Sequence, residues 1–296
     1  MRIVIAGATG RLGSTLKLEL ASAGHQVSAL RRADLDVTDA AQVDYVVKRL
    51  RPQAIVNCSA YNAVDAAQAD APGAYALNAE GPANLARAAR NAGALLVHYS
   101  TDFVFDGTAQ EPYSEEDPTN PLSVYGASKL AGENEAQRAD RHYVLRLESL
   151  FGGIGVRGHR ATVDQIAEQM IAGNVVRALT DRTVSPSYVA DVSRVSRILI
   201  ERNAPSGVYH CVNSGFTTWY ALAMEVSREL GVPATIVPLK ASDFQTPAPR
   251  PQFCALSNRK LLALGIEMPT WRTALARHLA VRYGQPAADP LRANIA

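Results

Sequence analysis

The chain opens with Arg2-Ile3-Val4-Ile5-Ala6-Gly7-Ala8-Thr9-Gly10-Arg11-Leu12-Gly13. The near-continuous apolar run over residues 2–6 reads as a strand buried on both faces, and the amphipathic stretch over residues 12–23 reads as the helix after it. Between them stand glycines at 7 and 10, where a backbone without Cβ can turn tightly and approach a pyrophosphate, and Gly13, which lets the helix pack close to the strand. Strand, glycine-rich turn and helix in this order open a dinucleotide-binding unit. The phosphates are expected on the turn made by Gly7, Thr9, Gly10, Arg11, Leu12 and Gly13.

Composition sets the frame around that opening. With 296 residues and 47% hydrophobic content, the chain can bury a large core, as one big domain or two closely joined ones. Thirty basic against 28 acidic residues leave +2, and no Lys/Arg run is long enough for a nucleic-acid face, so no polyanion partner is expected beyond a small phosphorylated ligand. Cys58, Cys211 and Cys254 are odd in number and lack a CxxC, which supports neither a disulfide framework nor a zinc site and fits a reducing cytoplasm. No signal-peptide pattern precedes the first strand and no segment approaches the length of a membrane span, so a cytoplasmic protein without a membrane partner is expected.

Working outward, residues 25–30 form a second strand that ends in Arg31-Arg32. A carboxylate there would select NAD, whereas an arginine can hold the extra phosphate of NADP. NADP(H) is therefore the expected cofactor, NAD(H) the alternative, and solvated loop arginines the bland reading. Asp36, beside Val37, either contacts the adenine edge or caps the helix beginning near residue 39. Residues 54–58 make a third strand, followed by a turn of small residues that leaves room for a flat ligand. Cys58 reads as a packed small hydrophobe. The helix expected over residues 72–92 turns Asn78 inward, where it can tie down backbone groups.

A fourth strand over residues 94–100 delivers Thr101 and Asp102 to the same sheet edge, and residues 111–121 form an acidic, proline-rich loop able to frame an entrance. Next comes Val124-Tyr125-Gly126-Ala127-Ser128-Lys129, with a phenol and an ammonium one helical turn apart. A cation so close is expected to pull Tyr125 below the ordinary phenol pKa of about 10 and so fit it for proton transfer. Alone, such a pair is common on solvated helix faces; the preceding strands give it meaning. The Thr101 hydroxyl, at the same edge, can hydrogen-bond a substrate oxygen as charge develops on it.

Taken together, GATGRLG, NCSAYNAVD, STDFVFDG and YGASKLAGE resemble the extended short-chain dehydrogenase/reductase family and, more narrowly, the dTDP-4-dehydrorhamnose reductase family. The likeness continues in Asp181-Arg182-Thr183-Val184-Ser185-Pro186-Ser187-Tyr188 and Pro249-Arg250-Pro251-Gln252-Phe253, so it covers most of the chain. The resemblance implies a catalytic triad on Thr101, Tyr125 and Lys129. It implies a cofactor across residues 7–13, the turn Ala60-Tyr61-Asn62 and the Tyr125/Lys129 pair, with Lys129 also on the nicotinamide ribose. The implied reaction moves a hydride to C4 of a nucleotide-linked 4-keto-6-deoxyhexose, in dTDP-L-rhamnose or related deoxysugar biosynthesis. Val64, Thr101, Asp102, Glu148, Ser149 and Arg250 would touch this nucleotide-sugar partner, a homodimer is the expected assembly, and no metal ligands are assigned. Ser149 departs from the family, standing where its reductases carry a tryptophan, and Glu148 is an unfamiliar polar residue beside it.

Two rivals follow from the same scaffold. A sugar-nucleotide epimerase or dehydratase is one; a 4,6-dehydratase would place an Asp-Glu pair after the threonine, whereas Phe103 follows Asp102 here. A non-catalytic NADP-binding regulatory subunit is the other, and it would carry a damaged triad.

The architecture predicted is α/β, a doubly wound parallel (Rossmann) sheet with a smaller C-terminal substrate-binding region. Residues 1–147 are assigned to the NADP-binding domain and 148–296 mainly to the substrate region, with segments near 175–200 returning to the larger domain. In the second half, residues 152–158 read as a glycine-rich substrate-side loop. Helices are expected over 162–172, 188–201 and 217–230, and strands over 175–179 and 207–213. Residues 244–253 form an extended segment whose Arg250 suits bidentate phosphate pairing or, alternatively, a surface ion pair. Trp219 and Trp271 read as packing anchors at helix starts.

Overall fold

The computed structural model describes residues 1–153, 161–243 and 245–284. Its first half alternates strand and helix: β1 (Arg2–Ala6), α1 (Arg11–Ser22), β2 (Gln26–Leu30), α2 (Ala40–Leu50), β3 (Ala54–Asn57), α3 (Val64–Ala69), α4 (Ala71–Tyr75), α5 (Gly81–Ala92), β4 (Leu95–Thr101), α6 (Val124–Ala136) and β5 (His142–Leu147). The remainder comprises β6 (Leu150–Phe151), α7 (Thr162–Ile171), β7 (Val176–Leu179), β8 (Thr183–Val184), β9 (Ser187–Tyr188), α8 (Val189–Arg202), β10 (Gly207–His210), β11 (Thr217–Thr218), α9 (Trp219–Leu230), β12 (Ile236–Leu239), α10 (Arg259–Ala263) and α11 (Trp271–Tyr283).

Six strands form one sheet in the order β10-β5-β4-β3-β1-β2, every pairing parallel. Parallel strands need crossovers on both faces, and two cores fill the space between sheet and helices. One packs Leu12, Leu16 and Leu20 of α1 and Val192, Val195 and Leu199 of α8 against the sheet; the other packs Val43 and Val47 of α2 with Leu85 and Ala89 of α5. The strand order reverses between β1 and β3, so a crevice opens above their carboxyl ends. A third core, from α7, β7, α9 and α11 around the buried Trp271, makes the smaller region over that crevice.

Within residues 175–200, the later part packs on the large sheet's core and the earlier part does not. β7 pairs with β12 in the smaller region, while α8 packs on α1 and β10 extends the sheet beside β5. Polar links join the halves at the glycine turn: Arg11 donates to the Gly152 carbonyl at 2.6 Å and lies 3.7 Å from the buried Asp164 of α7, which also holds His278 at 2.7 Å.

The helix expected over residues 72–92 is present, but it is not α-helical throughout. A π-helical turn, Ala76–Glu80, separates α4 from α5. One extra residue in the turn rotates Asn78 into the interior. There its side chain accepts from the Tyr61 backbone N–H at 2.8 Å, donates to the Tyr61 carbonyl at 3.2 Å and donates to the Ser128 hydroxyl at 3.0 Å. Asn78 therefore fixes the turn after β3 to α6. Asp36 caps no helix: Asp39 does, accepting from Gln42, whereas Asp36 accepts from the Thr38 backbone and hydroxyl. Val37 is buried in the sheet's second core.

Candidate active site

The glycine turn has the shape its sequence demands. Gly7 has φ +74°, and a Cβ on it would lie 2.8 Å from the backbone of Cys58 and Ser59. A Cβ on Gly13 would sit 2.5 Å from the Gly7 oxygen, so α1 approaches the turn as closely as backbone allows. The first residue before α1 is Gly10, which offers no side-chain cap, and the leading N–H groups face the crevice without one. In front of Gly10 there is room, since a Cβ there would meet nothing nearer than 3.5 Å. An uncapped helix start behind an open glycine fits a dinucleotide pyrophosphate.

A cavity of about 320 Å³ lies beside that turn. Of the residues singled out in the sequence, Gly10, Arg11, Leu12, Gly13, Ala60, Asn62, Thr101, Asp102, Tyr125, Lys129, Glu148 and Ser149 line it. Gly7, Thr9, Arg31, Arg32, Asp36, Val37, Tyr61, Val64 and Arg250 do not. Arg31 grips Asp34 through two nitrogens at 2.9 and 3.2 Å and Arg32 lies 3.4 Å from Asp36, all at the surface just past β2. Asn57, Cys58, Ser59, Tyr99, Ser100, Leu147 and Leu150 also line the cavity. They sit at or just past the carboxyl ends of β3, β4 and β5, apart from Leu150 at the start of β6; Asn57, Cys58, Ser59 and Ser100 fall within the quoted motifs, whereas Tyr99, Leu147 and Leu150 follow from topology alone.

Helix α6, which carries Tyr125 and Lys129, is placed by backbone contact. Ser123 caps α6 by accepting from Gly126, and a Cβ on Gly126 would stand 2.2 Å from the Phe103 carbonyl oxygen. Tyr125 is buried, its ring edge against Phe103. Burial raises its pKa to about 12, with the facing Thr101 hydroxyl acting against that and the Asp102 charge adding to it. Lys129 does not activate it in the way the spacing suggested. Its buried ammonium donates to the Tyr99 carbonyl at 2.6 Å, and burial lowers it to about 8 while Glu133 holds it up. The pair shares a helix face, but desolvation outweighs any effect of one partner on the other.

Thr101 donates to Asp102 at 2.9 Å. Burial raises the Asp102 carboxyl to about 6, against the Thr101 bond, Cys254 and Arg182. Glu148 accepts from the Ser185 N–H at 2.5 Å and is pushed well above the usual carboxylate range, first by burial and then by the Asp102 charge. Asp102, Glu148 and Cys254 each bring an oxygen or sulfur within 4.8 Å of the others. The second acid missing from the sequence after Asp102 is thus supplied in space from the end of β5. Arg182, Glu148 and Cys254 come from three distant segments, so no linear pattern gathers them. Ser149, next in line, is held at φ 45°, a left-handed conformation a side chain rarely takes.

Beyond Arg182 a second cavity of about 460 Å³ is lined by Arg177, Arg182, Trp219, Gln165, Thr246 and Arg250. Arg250 pairs with both oxygens of Asp65 on α3, at 2.9 and 2.8 Å, rather than standing free for a phosphate. The loop expected over residues 152–158 is described only at Gly152 and Gly153, both at positive φ; the rest lies outside the described residues, as does Phe244 of the segment 244–253. Among the described residues no helix is long and apolar enough to cross a membrane.

Residues 1–283 match the family described as RmlD substrate binding domain. A dTDP-4-dehydrorhamnose reductase of Streptomyces griseus is 37% identical over 300 residues, covering 98% of this chain and 97% of its own. A probable dTDP-4,6-dihydroxy-2-methyloxan-3-one 4-ketoreductase of Streptomyces antibioticus is 38% identical over 283 residues, 93% of each chain. Among solved structures, the dTDP-4-dehydrorhamnose reductase of Bacillus anthracis in complex with NADP superposes with a TM-score of 0.90 at 32% identity, over 95% of this chain and 99% of that one.

Proposed function

Because the chain belongs to the RmlD substrate binding domain family, within the extended short-chain dehydrogenase/reductases, we propose that it is an NADPH-dependent reductase of a nucleotide-linked 4-keto-6-deoxyhexose. One observation carries the reading: Thr101, Tyr125 and Lys129, delivered by a strand end and a later helix, meet in the cavity that begins at the uncapped glycine turn. When bound, NADPH supplies the hydride that reduces the ketone carbon. Gly10 to Gly13 and the start of α1 hold its pyrophosphate. Arg31 and Arg32, exchanging Asp34 and Asp36 for the extra phosphate, would favour NADPH over NADH. Lys129 anchors the ribose while keeping its bond to Tyr99. Tyr125 delivers its phenolic proton to the ketone oxygen as charge appears there. The second cavity, with three arginines and Trp219, receives the nucleotide end of the substrate.

Replacing Tyr125 by Phe tests this directly. Turnover is expected to fall about 10²- to 10⁴-fold with NADPH affinity unchanged, and a variant with wild-type kcat would overturn the assignment. The Asp102–Glu148 neighbourhood favours a second reading, acid-assisted elimination or epimerisation, in which the cofactor is regenerated. The two separate by stoichiometry: a reductase oxidises one NADPH per ketone consumed.

A further inference from the structure

Two buried carboxyl groups lie under the catalytic hydroxyls with their free ends unsatisfied. Asp102 receives the Thr101 hydroxyl on one oxygen at 2.9 Å, and its other oxygen has no hydrogen-bond partner. Glu148 is pinned through one oxygen by the Ser185 N–H, and its other oxygen likewise has none. Both side chains line the main cavity and both are under 5% exposed, at 4% and 3%. Buried oxygens without partners are costly, and two carboxylates this close cannot both stay ionised, so the arrangement is satisfied when one of them carries a proton. The other groups facing the pair are Arg182 on the loop after β7, the Cys254 thiol, and Tyr125 on α6; Arg250 and Asp181 lie behind Arg182. Cys254 donates toward the Pro251 carbonyl at 3.4 Å, and the Arg182 guanidinium balances the charge left on the pair.

We propose that Asp102 and Glu148 hold one proton between them and return it through the Thr101 hydroxyl to Tyr125 after each reduction. The inference rests on Tyr125 being the acid that protonates the ketone oxygen. Once it has done so, Asp102 takes the shared proton from Glu148 and passes it to the Thr101 oxygen, while the Thr101 hydroxyl turns from Asp102 and gives its own proton to the phenolate. The gap of up to 4.8 Å between the two carboxyls is spanned by one bridging water or a swing of either free end. Solvent at the cavity then restores a proton to Glu148. One proton is consumed per ketone reduced, and no electrons move beyond the hydride.

The pH profile of kcat tests the relay with the intact enzyme, NADPH and a nucleotide-linked 4-keto sugar. The wild type loses turnover on the alkaline side as the pair empties. In a Glu148→Gln protein Asp102 holds the proton alone, without a like charge beside it, so the alkaline limb moves down by about one pH unit or more. Turnover then falls roughly 10-fold at pH ~7.5 and recovers toward pH ~5.5. Glu148→Asp, which keeps the acid, retains the wild-type limb, and Asp102→Asn lowers turnover at every pH without acid recovery. A Glu148→Gln profile that coincides with the wild type overturns the relay, as does a Glu148→Asp profile displaced like that of the glutamine variant. Should Glu148→Gln fail to fold, the contrast between Glu148→Asp and Asp102→Asn decides alone. The failure of the relay is distinct from that of the reductase reading: an inactive Tyr125→Phe beside an unmoved Glu148→Gln profile removes only the relay.

Discussion

Replacing Gly132 by alanine tests whether α6 sits at the one separation its neighbour permits. A Cβ at Gly132 would lie 2.0 Å from the carbonyl oxygen of Asn78 and 3.2 Å from its carbonyl carbon. An ordinary carbon–oxygen contact is about 3.3 Å, so α6 and the π-turn have to part locally by roughly 1.3 Å. The opposing atoms are backbone, with no flexible end to swing aside. Overpacking of this kind costs about 1–3 kcal/mol, and the rigidity of both partners favours the upper part of that range. Alanine's better helix propensity returns about 1 kcal/mol, leaving a net loss of roughly 1–2 kcal/mol. The consequence for activity is larger. Asn78 also ties the Tyr61 turn and Ser128 together, so opening this contact shifts the cofactor side of the crevice relative to Tyr125 and Lys129. A misplacement of about 1 Å is worth roughly 10²-fold in rate. Urea unfolding and kcat, measured on the same preparation, read both effects. A Gly132→Ala protein with an unmoved midpoint and kcat within about twofold of wild type would refute the argument that this contact sets the site.

Lys129→Met is expected to stabilise the cofactor-free protein while abolishing turnover. Burial holds the Lys129 pKa at about 8 against 10.5, so the folded state disfavours the ammonium by roughly 3 kcal/mol below pH 8. Losing the bond to Tyr99 returns about 1 kcal/mol, leaving a gain of about 2 kcal/mol at pH 7 that fades from pH 8 upward and gives way to a loss of about 1 kcal/mol above pH 10.5, as urea melts across that range will read. Arg31→Ala combined with Arg32→Ala should raise KM for NADPH about 10- to 100-fold and leave NADH kinetics alone. Because both arginines are exposed, the double variant should melt with the wild type.

The sheet was legible because its information is local. Apolar runs, the glycines at 7, 10 and 13 and the spacing of Tyr125 and Lys129 each fix one strand, turn or helix face without reference to distant segments. Asn78 was legible as a buried tie for the same reason, although the π-turn that aims it was not, since one inserted residue leaves no trace in a 3.6-residue pattern. The carboxyl cluster was hidden. Asp102, Glu148, Arg182 and Cys254 sit on four segments whose meeting depends on where β5 ends and how the smaller region folds back. Of the two readings of Arg250, a phosphate partner or an ion pair, the identity of the ion-pair partner was hidden on similar grounds: Asp65 lies 185 residues away, and only the fold pairs them.

The error over Tyr125 is the more instructive one, because the spacing was right and the sign was wrong. A lysine one turn away lowers a phenol's pKa only if its charge is better felt than the water that burial removes; here the ammonium turns to the Tyr99 carbonyl and desolvation dominates both groups. Yet the result suits reduction. At about 12, Tyr125 stays protonated throughout the neutral range and is ready as a donor without any assistance. A developing alkoxide approaches the basicity of hydroxide, whose conjugate acid has a pKa of about 15.7, so proton transfer from Tyr125 remains downhill by roughly three to four pKa units. The same elevation makes the resulting phenolate costly in its buried setting, and a nearby supply of protons then has chemical work to do. Oxidation in the reverse direction would use that phenolate as the base, the form that burial disfavours.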